Sequence, residues 1–182
     1  MWVGPPVLAV GIGMAWIAYS MDGTAFGDTL VVYREDGRDV QTVPIHHAFD
    51  MGAERLGFPV LELSRVIAEF QPQFVDAVRA EGPGQQSFLL VGLASAEGGI
   101  ERKISIVQSR HTGIPVPPSV PGELIVKGAR VWSQPSPLHL DGQVYHQYLF
   151  RTEETEVRIS FAQTDKPTES VVRELVESML DD

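Results

Sequence analysis

A two-residue loop, Asp36-Gly37, joins two short segments of strand length, and this feature limits the fold more than any other. Asp-Gly is typical of the type I′ turn of a β-hairpin, because both positions need a positive φ that these residues tolerate. The register that this loop sets pairs Glu35 with Arg38, Arg34 with Asp39 and Tyr33 with Val40. Two of these pairs join opposite charges across the ladder. The sequence therefore predicts an antiparallel hairpin over residues 30–43.

Further segments of strand length follow along the chain. Residues 88–93 and 100–107 flank Gly98-Gly99 and predict a second hairpin. Three more strands are predicted at 124–132, 144–151 and 157–161. With two apolar segments near the N-terminus, these give an α+β fold with a mostly antiparallel sheet of about seven or eight strands.

Two segments carry the apolar spacing of amphipathic helices. Residues 60–80 have apolar side chains at steps of three and four, namely Val60, Leu63, Ile67, Phe70, Phe74 and Val78. Pro72 lies inside this segment and predicts a kink. Residues 167–180 open on Pro167, which suits a first helical turn, and their apolar residues form one stripe.

The length predicts one domain over residues 1–182. A proline-rich loop is expected at 111–122, and residues 124–182 are interpreted as a β-hairpin elaboration that ends in the second helix. That loop and a second loop at 135–143 are the expected contact points for a partner.

The first twenty residues contain no charged side chain. Pro5-Pro6, Gly11 and Gly13 interrupt the segment, and no lysine or arginine precedes Arg34. A spanning helix needs about 20 uninterrupted apolar residues and a secretion signal needs a basic start. Buried strands of a cytoplasmic protein are therefore favoured over a membrane anchor at residues 1–20 or a secretion signal.

The chain carries 24 acidic against 14 basic residues, for a net charge of −10, and no cysteine. An acidic chain without a basic cluster in its sequence is not expected to bind nucleic acid, because it repels the phosphate backbone. The balance suits a protein partner, with a basic surface as the best complement, and leaves homo-oligomerisation open. The absence of cysteine excludes disulfide frameworks, cysteine-ligated zinc and thiol nucleophiles, and no cofactor is predicted.

A few side chains have the chemistry of a site. His139, Asp141 and His146 surround a predicted turn, and imidazole with carboxylate is a donor set that zinc or iron accepts. The aromatic residues Trp132, Tyr145 and Tyr148 are candidates for a protein interface, because such side chains anchor many interfaces.

Over roughly residues 7–110, the order of segments resembles the proteasome-like N-terminal-nucleophile hydrolases. The resemblance rests on "IAYSMDGT", a hairpin, "HAFDMG", the helix "LELSRVIAEF" and the strand pair "SFLLVGLASAEGGIERKISIV". It implies helices packed over a sheet sandwich and peptide or amide hydrolysis. Such a nucleophile stands at the mature N-terminus, so processing would have to expose Ser20 or Thr24. The family's activating lysine follows the first hairpin, whereas the first lysine here is Lys103.

These observations favour a non-enzymatic binding, adaptor or structural protein with an acidic surface. The first alternative is an amide or peptide hydrolase, either of the N-terminal-nucleophile type or assisted by a metal. The second is an extracytoplasmic domain anchored by residues 1–20.

Overall fold

The computed structural model describes residues 29–65, 70–95, 102–113, 123–140, 143–162 and 169–181. Within these ranges the chain forms nine strands and two helices. In chain order they are β1 (Leu30–Glu35), β2 (Arg38–Pro44), α1 (Ile45–Leu56), β3 (Gln71–Val78), β4 (Phe88–Ser95), β5 (Arg102–Arg110), β6 (Glu123–Val126), β7 (Ala129–Leu140), β8 (Gln143–Arg151), β9 (Thr155–Ala162) and α2 (Glu169–Met179).

All nine described strands belong to one sheet, in the order β2-β1-β3-β4-β5-β9-β8-β7-β6. Neighbouring strands are antiparallel except β1 and β3, which run parallel, and α1 lies in the connection between β2 and β3. The predicted α+β class with a mostly antiparallel sheet is confirmed, and the strand count is slightly higher than expected.

The first hairpin has the predicted loop and begins with the predicted register. Glu35 pairs with Arg38 and Arg34 with Asp39, but Tyr33 pairs with Gln41 rather than Val40. A register shift between Tyr33 and Arg34 accounts for the difference, because a bulge sets one extra residue of β2 outside the ladder. Asp36 and Gly37 have φ of 51° and 79°, as a type I′ turn requires.

The predicted helix over residues 60–80 is wrong, because residues 71–78 form the strand β3. Its buried apolar residues alternate along the strand except at a register shift between Pro72 and Phe74. The extra residue at this shift places the buried residues Pro72 and Val75 three positions apart, which is a helical step. Pro72 is tolerated because β1 pairs with β3 only from Phe74 to Ala77 and needs no N–H from residue 72.

The first helix lies at residues 45–56 instead. Its buried residues Ile45, Ala48, Phe49 and Gly52 recur at helical spacing. It ends at Gly57, whose φ of 71° is the left-handed conformation that favours glycine after a helix. The second helix confirms the prediction for residues 167–180 over its described part, Glu169–Met179.

Two predictions for the C-terminal half need correction. Residues 124–132 are not one strand, because Lys127-Gly128 forms a turn with φ of 47° and 82° between β6 and β7. The loop expected at 135–143 is largely strand, since β7 continues to Leu140. Its prolines fall at a register shift between Pro135 and His139, where the ladder tolerates a missing N–H. Of the proline-rich loop, residues 114–122 lie outside the described ranges.

The main core lies on one face of the sheet, which we call the helix-covered face. Strand residues such as Tyr33, Val91 and Ile106 are buried there with α1 residues and with Val172 and Leu175 of α2. The opposite side is called the outer face. It carries half-buried apolar residues on four neighbouring strands, namely Val32, Phe74, Phe88, Leu90 and Val107.

An extended segment after α1, residues 58–65, crosses the helix-covered face. The buried amide of Gln108 donates to the Leu61 carbonyl and accepts from the Leu61 N–H, both at 2.7 Å. The Thr155 hydroxyl donates to the Pro59 carbonyl at 2.6 Å. A polar side chain on the sheet thus replaces the strand partner that this segment lacks.

Among the described residues, no helix combines the length and apolar character needed to cross a membrane.

Candidate binding site

Arginines from three positions in the chain surround one cavity at an end of the sheet. Arg110 ends β5, Arg151 ends β8, and Arg158 lies on β9. The cavity has a volume of about 380 Å³ and is lined by Gly84, Gln85, Gln86, Arg110, Thr112, Arg151, Glu156 and Arg158. Three arginines against one glutamate leave two positive charges in excess, in a chain whose net charge is −10.

Glu156 organises two of these arginines. Arg151 donates from Nε at 2.7 Å and from Nη2 at 2.6 Å to Oε2 of Glu156. Arg158 donates from Nε at 2.9 Å and from Nη2 at 2.5 Å to Oε1. The Glu156 side chain is 7% exposed and that of Arg158 is 49% exposed. A buried carboxylate therefore holds one guanidinium at the protein surface.

Burial would raise the pKa of the Glu156 carboxyl, but hydrogen bonds and charges from Arg158 and Arg151 outweigh it. The net result is a pKa below the usual glutamate value. Two ion pairs on one carboxylate are the expected cause of such a shift. Glu156 is therefore ionised at neutral pH, and it orients the arginines without cancelling their combined charge.

The third arginine joins the cavity to the segment after α1. Arg110 Nη2 donates to the Gly57 carbonyl at 2.5 Å, and its own carbonyl accepts from Gln86 Nε2 at 2.5 Å. The turn that carries Glu153 and Glu154 lies nearby, but neither residue lines the cavity. The Arg110 guanidinium and the Gln86 amide are therefore N–H donors of the lining that backbone carbonyls hold in place.

The outer face continues from the cavity across neighbouring strands. Arg158 is directly opposite Val107 on β5, and Val107 is directly opposite Leu90 on β4. Directly opposed side chains in an antiparallel ladder lie about 5 Å apart at Cβ. A charged group at the cavity and an apolar strip are therefore contiguous on this face.

On β3 the residue directly opposite Leu90 is the buried Asp76, and Phe74 lies on the same face two positions earlier. Its ring lies over Gly92, where a Cβ would overlap the ring atoms. The Arg34 guanidinium lies 4.4 Å from the Phe74 ring centroid, within the range of a cation–π contact. The absence of a side chain at Gly92 therefore leaves room for the Phe74 ring on the outer face.

The predicted metal ligands are described only in part. The backbone of His139 pairs with Val144 and that of His146 with Pro135, whereas Asp141 lies outside the described residues. Among the described residues, no group of three metal-binding side chains occurs. The set of His139, Asp141 and His146 stays a prediction.

His146 has a different neighbour on the helix-covered face. Its Nε2 lies 2.7 Å from Oγ of Ser133, and its ring stacks near Phe161 with centroids 5.7 Å apart. Sequence reasoning did not identify this pair, because Ser133 and His146 meet only through the register of β7 and β8.

The three aromatic candidates for an interface differ in their surroundings. Tyr148 is 6% exposed and belongs to the core, and burial raises the pKa of its hydroxyl. Trp132 is half-buried on β7. The Tyr145 backbone pairs with Ala162, and its side chain is outside the described part.

The candidate nucleophiles Ser20 and Thr24, and the candidate anchor at residues 1–20, also lie outside the described residues. These interpretations stay predictions.

The arginine cavity was missed because its members are far apart in sequence. One part of it had a signal. The strands predicted at 144–151 and 157–161 follow one another closely, and a hairpin between them pairs Arg151 with Glu156, just as opposite charges set the register of the first hairpin. Arg110 lies beside these residues because β5 pairs with β9, a contact between strands that are distant in sequence.

Comparison of this chain with protein-family models, with curated proteins and with solved structures finds no match.

Proposed function

We propose that this chain is a non-enzymatic binding protein whose arginine cavity takes an anionic group of its ligand, a carboxylate or a phosphate. The observation that carries the proposal is the excess of two positive charges in a cavity of about 380 Å³. Guanidinium groups bind both anions through paired N–H donors.

The contacts of Glu156 support this ligand chemistry. The carboxylate accepts four N–H contacts from Arg151 and Arg158, which fixes both guanidinium groups beside the cavity. Arg158 is half-exposed and has guanidinium surface left for a second anion. The other lining groups are amides, glycine and the Thr112 hydroxyl, which donate hydrogen bonds to anions.

The test is a titration of the full chain with inorganic phosphate and with acetate, followed by amide and arginine side-chain NMR shifts. We expect saturable shifts centred on residues 84–86, 110–112 and 151–158. Arg158→Gln should weaken phosphate binding at least about fivefold, which corresponds to about 1 kcal/mol. Raising the salt concentration should weaken it further, because salt screens exposed charges.

Arg173→Gln is the matched control, because Arg173 on α2 has a similar side-chain exposure, 42% against 49% for Arg158. Unsaturable shifts spread over the whole surface, or equal phosphate affinity in both variants, would refute the proposal.

A hydrolase is the second candidate, and the Ser133–His146 contact is the observation that favours it. A serine hydroxyl within hydrogen-bond reach of an imidazole is the first requirement of an activated nucleophile. A fluorophosphonate probe tests this function. Labelling at Ser133 that is lost in His146→Gln would support the hydrolase, whereas an unlabelled protein would leave the binding function as the better account.

A further inference from the structure

We infer that the anionic group is the acidic side chain of an extended protein segment, whose apolar neighbours pack on the outer face of the sheet. This inference rests on the proposed anion site and names its partner. It starts from the continuity of Arg158, Val107 and Leu90 across three neighbouring strands.

The spacing of these residues fits an extended chain that crosses the strands. Adjacent strands lie about 4.8 Å apart, so Val107 and Leu90 lie about 5 Å and 10 Å from Arg158 along the sheet. In an extended segment, side chains on one side recur about every 6.7 Å. An acidic residue at Arg158 therefore places the apolar side chain two positions away between Val107 and Leu90.

The apolar strip is also accessible from the outer side. Val107, Leu90 and Phe88 are half-buried, and both described helices pack on the opposite face. Half-buried apolar residues that are contiguous with a charged cavity have the composition of a recognition surface, with an apolar centre and a polar rim.

Charge complementarity selects an acidic segment over a basic one. The chain as a whole carries −10 and repels acidic ligands, whereas the cavity holds two excess positive charges. An acidic segment is therefore attracted to this cavity. A basic segment would meet the guanidinium of Arg158 beside the apolar strip.

The experiment uses three acetylated and amidated peptides and the full chain. The first peptide has the sequence Leu-Gly-Glu-Gly-Leu. The second replaces its glutamate by glutamine, and the third replaces both leucines by alanine. We expect the first peptide to bind at least about tenfold more tightly than either of the others in an NMR titration, because only it satisfies the arginines and the apolar strip together.

The Leu90→Asn variant should remove this advantage and leave phosphate affinity unchanged. Thr42→Asn is its control, because Thr42 pairs with Val32 at the far edge of the same sheet and is exposed. Val107→Thr provides a second variant of the strip with nearly unchanged side-chain volume.

Each outcome separates the two proposals. If phosphate binds and the three peptides bind equally, the inference fails and the anion site stands. If neither phosphate nor any peptide binds, both fail. If sedimentation shows a dimer that Leu90→Asn converts to a monomer, a second copy of this chain covers the outer face and the inference is overturned.

Discussion

At the scale of single residues, the Phe74 ring leaves no room for a side chain at Gly92. Replacing Gly92 by alanine would push its new methyl group into the Phe74 ring, which also contacts the Arg34 guanidinium. We expect Gly92→Ala to lower the free energy of unfolding by about 2 kcal/mol, the usual cost of overpacking. Urea denaturation followed by circular dichroism measures this change.

Gly82→Ala is the matched control, because a Cβ there meets only the Gln85 side chain at 3.9 Å, an ordinary contact. Equal stability of the two variants would contradict the position of the Phe74 ring.

Glu156 makes the stability of the fold depend on pH. Because its folded-state pKa is lowered, its contribution is complete above the unfolded-state pKa, about 4.3, and is lost as the pH falls through the folded-state value. At pH 7, Glu156→Gln should lower the free energy of unfolding by about 2 kcal/mol, discounted for the exposure of Arg158. At pH 3 the difference between wild type and variant should shrink.

Urea unfolding at both pH values measures this difference, with Glu174→Gln on the exposed side of α2 as the control. A difference that is the same at pH 7 and pH 3 would show that ionised Glu156 does not stabilise the folded state.

At the scale of elements, the segment after α1 is attached to the sheet by one side chain. Gln108 is fully buried and satisfies both backbone groups of Leu61. Gln108→Ala leaves these groups unpaired and should cost about 3 kcal/mol, since each buried unsatisfied group costs about 1 to 3 kcal/mol. Hydrogen exchange at the Leu61 amide should become faster.

Gln73→Ala is the comparison, because the exposed Gln73 amide donates to the Gln71 carbonyl within its own strand. Unchanged exchange at Leu61 in Gln108→Ala would mean that other contacts hold the segment.

Element types were predictable where the residues act locally. Asp36 and Gly37 both tolerate the positive φ that their turn requires. The buried residues of α2 keep helical spacing along the helix. The sequence predicts a helix at β3 because the register shift beside Pro72 has no local signal. That shift depends on the partners β1, which lies far earlier in the sequence, and β4, which follows β3. The helix α1 had a usable signal in the spacing of Ile45, Ala48 and Phe49 before Gly57.

At the scale of the whole molecule, both described helices lie on one side of the sheet. Ile106 and Val107 are neighbours on β5 that point to opposite faces, and only Ile106 is fully buried. Ile106→Thr should lower the free energy of unfolding by about 3 kcal/mol, because it removes core contacts and buries a hydroxyl. Val107→Thr should change it by less than about 0.5 kcal/mol.

Thermal unfolding of the two single variants compares the faces directly. Equal losses of stability at positions 106 and 107 would mean that the outer face is as tightly packed as the helix-covered face.

The sequence by itself determined the class of fold, because alternation, turn residues and helical stripes are properties of short segments. It also determined that the chain is acidic and carries no thiol chemistry. Only the tertiary structure decided which charges meet. Arg110, Arg151 and Arg158 come from three strands, and their common cavity exists because β9 pairs with β5 on one side and β8 on the other. Strand order is fixed by contacts between distant residues, and no local pattern records it.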